Sequence, residues 1–302
     1  MADVTDAAFR KIILETGRPD VFYTEFISAA GLASEKGRPR LIKNLEYSES
    51  EHPIVAQFFG SNPEHFRICA KLARERGFDG IDINMGCPDR KVIKQGAGIG
   101  LSKSPMLAKE IIAAAKEGAG DLPVSVKTRL GYFDIDLRWI EELFSTEIPV
   151  LILHGRTMKE MSKVPAHWDV ISEVARRGKE RGILVVGNGD VMSYQEGQQR
   201  AQESGVDGIM VGRGIFQNPW LFNPSIRLKD ISIEQRLELL LKHTKLFVDL
   251  WGSDKSFDLM KKFYKIYIAG WDGAKKLRAA VMETKSEEEV RGIIQEYLRS
   301  SQ

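Results

Sequence analysis

Gly80-Ile81-Asp82-Ile83 runs straight into Asn84-Met85-Gly86-Cys87-Pro88, and this join of an apolar run to a Gly/Pro turn decides how the chain reads. A short run of β-branched residues bounded by a turn marks a buried strand. The turn then sets a thiol at the strand's carboxyl end, where it is positioned for chemistry. Six more runs of the same kind are Val21-Phe22-Tyr23-Thr24, Ile54-Val55-Ala56-Gln57-Phe58, Val124-Ser125-Val126-Lys127, Val150-Leu151-Ile152-Leu153, Ile183-Leu184-Val185-Val186 and Gly208-Ile209-Met210-Val211. The stretches between them carry apolar residues at helical spacing, as in Leu107, Ile111, Ile112 and Ala115, with Gly118 as the expected stop. Alternating strands and helices predict repeated β-α units around a parallel sheet. The short, regular spacing and the polar strand exits favour a (β/α)8 TIM barrel over an open sheet. Seven strands are one short of closure.

After Pro219-Trp220-Leu221-Phe222 the pattern changes. Leu237, Leu240, Leu241, Thr244, Val248 and Trp251 mark one helix face, and no strand signal returns. Residues 1–227 are therefore expected to form the barrel and 228–302 a C-terminal helical bundle. The net charge of +2 is too small to announce nucleic-acid binding by the whole chain. Its excess nevertheless lies in the last quarter: from Leu228 onward there are 14 Lys and Arg against 12 Asp and Glu, and before it 30 against 30. Lys255 to Arg278 carries seven of these bases, interleaved with Phe257, Phe263, Tyr264, Tyr267 and Trp271. That stretch reads either as a helix with core aromatics and solvated lysines or as a nucleic-acid surface.

Two cysteines without metal-ligand spacing exclude a disulfide scaffold and a zinc ribbon, and no run of about 18 apolar residues could span a membrane. The start has no apolar targeting core, so a cytoplasmic, reducing setting without membrane attachment is expected. Cys69 falls on the amphipathic pattern Phe66 to Leu72 and reads as a small buried apolar side chain.

In a barrel the reactive groups stand at the carboxyl ends of the strands. Here those positions hold Gln57, Asn84, Cys87, Lys127, Arg129, His154, Arg156, Asn188, Asp190 and Arg213. Such a concentration of polar groups is not what core packing requires. Gly187-Asn188-Gly189-Asp190 and Gly212-Arg213-Gly214 fall where such barrels bind phosphate, and glycine lets a backbone approach a ligand closely, although glycines also simply make tight turns. Lys127 is either a strand-end lysine reaching for solvent or an ammonium over the barrel mouth that requires an anionic partner, such as a ring that becomes an anion on reduction. No Gly-x-Gly-x-x-Gly follows a first strand, so a Rossmann nicotinamide site is not supported; Gly96-Ala97-Gly98-Ile99-Gly100 reads as a flexible loop. Among five histidines no metal-ligand spacing appears, and only His154 stands out, by its place at a strand exit.

The block Ile83-Asn84-Met85-Gly86-Cys87-Pro88, with Lys91-Val92 and Gly96-Ala97-Gly98, resembles the tRNA-dihydrouridine synthases. Val4-Thr5-Asp6 with Phe9-Arg10, Ala56-Gln57-Phe58, Val126 to Gly131, Leu153 to Thr157, Gly187 to Asp190, Met210 to Gly214 and Asn218 to Phe222 look like the family's other blocks, in the family's order. The tail from Met260 to Arg278 also looks like the family's helical domain.

The resemblance implies a flavin mononucleotide (FMN) over the barrel mouth, reduced by NADPH or NADH, that reduces the 5,6 double bond of uridines in tRNA. It implies flavin contacts at Met1, Ala2, Gln57, Lys127 and His154, and phosphate contacts at Asn188, Gly189, Asp190, Gly212 and Arg213. Cys87 becomes the implied proton donor, which suits a thiol that is largely protonated near neutral pH. Asn84, Arg90, Lys91, Arg129 and Arg156, with Lys94, are implied to bind the substrate, since a base inside folded RNA must be splayed out to be reached. The 255–278 stretch is then an RNA-docking surface, and a monomer is expected. Asp3 stands where the family has a glycine, and Ile99 where a small residue is common. An apolar strand precedes Val-Thr-Asp in the family, so the eighth strand is expected upstream of Met1. The competing readings are a barrel reductase of a free pyrimidine-like molecule and an RNA-binding flavoprotein without catalysis.

Overall fold

The computed structural model describes residues 3–300. All seven runs are strands: β1 (Phe22–Ser28), β2 (Ile54–Phe59), β3 (Gly80–Met85), β4 (Val124–Arg129), β5 (Val150–His154), β6 (Leu184–Asn188) and β7 (Gly208–Met210). They form one parallel sheet in the order β1 to β7, each strand paired with the next in sequence. Sequential parallel pairing with a helical crossover after each strand is the connectivity of a TIM barrel, and the sheet is a TIM-barrel-like array of seven strands. Every residue of β3 is buried, as expected where a parallel sheet is covered on both faces.

The helices begin and end for local reasons. Asn62 caps Pro63–Glu75 by accepting from the His65 amide, and Pro63 takes the first helical position, where a missing N–H costs nothing. The helix Pro105–Ala119 does not stop at Gly118 as expected; it ends at Gly120, whose φ of 63° only glycine adopts freely. Gly118 instead lies inside that helix because a Cβ there would come within 2.1 Å of the Arg67 carbonyl oxygen on the neighbouring helix. Its signal was close packing between helices.

Two compact units emerge. The first comprises Asp20–Val191 and Gln195–Gly212 and holds the whole sheet; the second comprises Asp3–Pro19, Met192–Tyr194 and the chain from Arg213 onward. Within the second, the helices Ala7–Thr16 and Ile233–Trp251 pack together, with Leu237, Leu240, Thr244 and Trp251 buried along one face of the latter. Asp3 has φ 52°, so this chain keeps a left-handed turn with an aspartate that tolerates it. The Asp3 carbonyl accepts from Lys262 at 2.6 Å and its carboxylate pairs with Lys255 at 3.3 Å. No helix among the described residues is long and apolar enough to cross a membrane.

Candidate active site

The carboxyl ends of β2 to β6 carry a continuous layer of polar side chains. Residues two apart on a strand share a face, so Asp82 with Asn84, and Ser125 with Lys127 and Arg129, stack in steps toward the rim. The register sets Gln57 beside Asp82, Asn84 beside Lys127, Arg129 beside His154 and His154 beside Asn188. In β1 the register shifts between Tyr23 and Phe26, and the Gln57 amide donates to the Thr24 hydroxyl at 3.0 Å. That irregularity fixes the base of Gln57.

The side-chain amides form a chain. Gln57 Nε2 donates to Asp82 Oδ2 at 2.7 Å, and Asn84 Nδ2 donates to Gln57 Oε1 at 3.1 Å. Asn84 Oδ1 then accepts from the backbone amides of Gly86 at 3.2 Å and Cys87 at 3.0 Å. All three side chains are buried.

Cys87 is half-buried in a tight turn. Its carbonyl accepts from the Ile99 amide at 3.2 Å, and Gly98, at φ 59°, has room for no Cβ, which would lie 2.6 Å from that oxygen. The Gly96 to Gly100 segment is thus not the flexible loop expected. Gly98–Lys103 is a 3-10 turn with Gly98, Ile99 and Leu101 buried, and it forms the wall behind Cys87. The Cys87 thiol is pushed up from its ordinary value, chiefly by burial, against the lowering pull of the Asp89 amide, Arg129 and Lys127.

Lys127 donates to Asn188 Oδ1 at 3.1 Å, and Asn188 donates in turn to the Met210 carbonyl at 2.7 Å. Burial and the Arg129 charge bring the ammonium down to about 8, while Asp82 offsets part of the loss. Burial likewise brings the Asp82 carboxyl up to about 6, opposed by hydrogen bonds from Ser125 and Gln57.

The two arginines at the rim are engaged. Arg129 donates to the carbonyls of Gly86 at 2.9 Å and Thr157 at 3.2 Å, joining the turns after β3 and β5. Arg156, only 3% exposed, pairs with Asp190, donates to the Val164 carbonyl at 2.6 Å and lies 3.4 Å from His154 Nε2. Asp190 also accepts from the Ala166 amide at 2.9 Å. By contrast Arg90, Lys91 and Lys94 are exposed on the short helix Arg90–Lys94, which Asp89 caps.

The first unit therefore brings together Gln57, Asn84, Cys87, Lys127, Arg129, His154, Arg156, Asn188, Gly189 and Asp190, and it ends at Gly212. Arg213 is exposed and belongs to the second unit. Met1 and Ala2 lie outside the described residues. Asp82 and Ser125 were not singled out from the sequence, although a charge two residues before Asn84 in an otherwise apolar run was the available sign. Among the described residues no group of three or more His, Cys, Asp or Glu could hold a metal ion.

The dihydrouridine synthase family model matches residues 1–302. A probable tRNA-dihydrouridine synthase 2 of Bacillus subtilis is 43% identical over 305 residues, covering 99% of this chain and 92% of that protein. A probable tRNA-dihydrouridine synthase of Staphylococcus aureus is 42% identical over 302 residues, covering 98% and 91%. Among solved structures, a 2-naphthoyl-CoA reductase in complex with 2-naphthoyl-CoA superposes with a TM-score of 0.55 at 12% identity, over 74% of this chain and 47% of that one. At that identity the likeness concerns the fold.

Proposed function

The chain belongs to the dihydrouridine synthase family, and from that membership we propose that it reduces the C5–C6 bond of uridines in tRNA, using FMN and NADPH or NADH, with Cys87 as the proton donor. The observation that carries the choice of acid is the state of Cys87. Burial pushes its thiol up, toward the protonated form that an acid needs, and the Asn84 carbonyl grips its backbone amide.

The residues at the rim fit a flavin. Gln57, Asn84, Lys127 and His154 stand on four successive strands, and the buried Lys127 ammonium is short of compensating charge, as a partner for an anionic ring would be. The turn at Asn188, Gly189 and Asp190, with Gly212, is the proposed phosphate site of the first unit. Met1 and Ala2 complete the proposed cofactor contacts. A bound, reduced flavin supplies a hydride to uracil C6.

The chain's own part is to deliver the proton. The Cys87 S–H bond breaks as the C5–H bond forms, and the thiolate left behind is stabilised by Lys127 and Arg129 until it takes a proton from solvent. Asn84 is proposed to contact the uracil. Arg90 and Lys91, exposed beside Cys87 in sequence, are proposed to hold phosphates of the splayed RNA. Arg129 and Arg156, buried against carbonyls and Asp190, act on substrate by shaping the rim turns. Residues 1–227 are proposed as the catalytic part and 228–302 as the tRNA-docking part, its contact centred on 255–278, in a monomer working in the cytoplasm.

The test is to incubate the protein with FMN, NADPH and unmodified transcribed tRNA and to assay nucleosides by mass spectrometry. Dihydrouridine in the tRNA, with free uridine left unreduced, is expected. Reduction of free uridine as fast as tRNA, or no product at all, would overturn the proposal.

A further inference from the structure

We infer that Asp82 is a positioning residue, which orients the Gln57 and Asn84 side-chain amides and through them seats the backbone of Cys87. The reasoning is directional. A carboxylate only accepts hydrogen bonds, whereas a primary amide has one accepting and one donating end. Asp82 takes the Ser125 hydroxyl on Oδ1 at 2.6 Å and the Gln57 amide on Oδ2 at 2.7 Å. With its NH2 end committed downward, Gln57 turns its oxygen toward Asn84 and receives the Asn84 NH2 group. Asn84 is then left with its oxygen facing the amides of Gly86 and Cys87, and it accepts from both.

Each link leaves the next a single favourable orientation. Reversing one amide would set N–H against N–H or oxygen against oxygen in a buried site and leave both groups unsatisfied there. The polarity of the whole row is therefore written at its buried end, by Asp82, which is 0% exposed and reaches Cys87 only through Gln57 and Asn84. An isolated carboxylate there would be costly, and Ser125, Gln57 and the nearby Lys127 charge are what keep it ionised.

The proposed acid role of Cys87 matters only to the turnover arm of the test; the thiol's chemical reactivity tests the relay without it. Alkylation of Cys87 by iodoacetamide is followed by peptide mass spectrometry in purified protein, across pH, for wild type, Asp82→Ala, Asp82→Asn and Gln57→Leu. Asp82→Ala and Gln57→Leu are expected to raise the alkylation rate about 10-fold, the equivalent of one lost buried hydrogen bond. Their combination is expected to do no more, since both cut one chain. Asp82→Asn keeps an oxygen for Gln57 while its NH2 end faces Ser125, whose hydroxyl lies 3.3 Å from the Ile81 carbonyl as an alternative acceptor. It is expected to react like wild type. If Asp82→Ala fails to fold, Gln57→Leu, an apolar replacement of similar size, carries the test. Wild-type alkylation in Gln57→Leu, or additive rates in the double variant, would overturn the inference. On tRNA, a fall in kcat with KM unchanged is expected for Asp82→Ala, and a rise in KM alone would contradict it.

Discussion

Both compact units bury polar side chains, but to different ends. In the second unit, Asp6 caps the helix Ala7–Thr16 by accepting from the Phe9 amide at 2.9 Å and accepts the Trp251 indole at 2.7 Å. His243 bonds Tyr267 at 2.9 Å and stacks on Phe9. Burial drives that histidine down to about 3, so it is a neutral packing group at any ordinary pH. In the first unit, burial brings the Lys127 ammonium to about 8 and the Asp82 carboxyl to about 6, within reach of neutral pH. The histidine is buried with its charge extinguished, the lysine and the aspartate of the first unit with theirs kept. Keeping a desolvated charge costs stability, and such costs concentrate where chemistry is done.

The sharpest way to break this contrast is Lys127→Met. FMN affinity, followed by flavin absorbance, is expected to fall about 100-fold with the loss of a charge-assisted contact. The thermal midpoint of the same variant without added FMN is expected to rise, because a desolvated cation has been removed. The wild-type fold should gain stability as pH rises from about 8 toward 10.5, where the unfolded chain still binds the proton that buried Lys127 has released. A midpoint that falls in Lys127→Met would place this residue with the structural cluster.

Trp251→Phe probes the other side. It leaves Asp6 one partner short, and denaturant unfolding is expected to report a loss of about 1–3 kcal/mol, with Cys87 alkylation unchanged. A smaller effect is expected from pH. His243 has its folded value depressed, so its contribution is complete above about 6.5 and is lost as pH falls toward 3, at about 1.4 kcal/mol per pH unit. Comparing unfolding of wild type and His243→Leu at pH 7 and pH 5 isolates that slope; equal slopes would mean that the histidine is not held neutral.

The sheet was legible because each strand is a short apolar run closed by a turn, and β3 to β6 begin within a residue of where those runs do. The rim was legible too, since polar residues at strand exits break an apolar pattern. What lay beneath was hidden. Asp82 and Ser125 sit inside strands that read as core, and only the fold brings a carboxylate on β3 opposite an amide on β2. Gly98 and Gly118 were read as loop and stop signals, yet each is a glycine because a neighbouring carbonyl leaves no space for a Cβ. Local sequence carries the need for glycine, while the reason for it lies 11 or 51 residues away, at Cys87 and Arg67.

The central claim, that Cys87 supplies the proton, is tested most directly in a single turnover. Protein carrying prereduced FMN is mixed with unmodified tRNA, and flavin reoxidation and dihydrouridine are followed together in wild type and Cys87→Ala. The alanine variant is expected to bind both flavin and tRNA yet to form product at least about 100-fold more slowly, the usual worth of a positioned general acid. Product formation at the wild-type rate by Cys87→Ala would contradict the account.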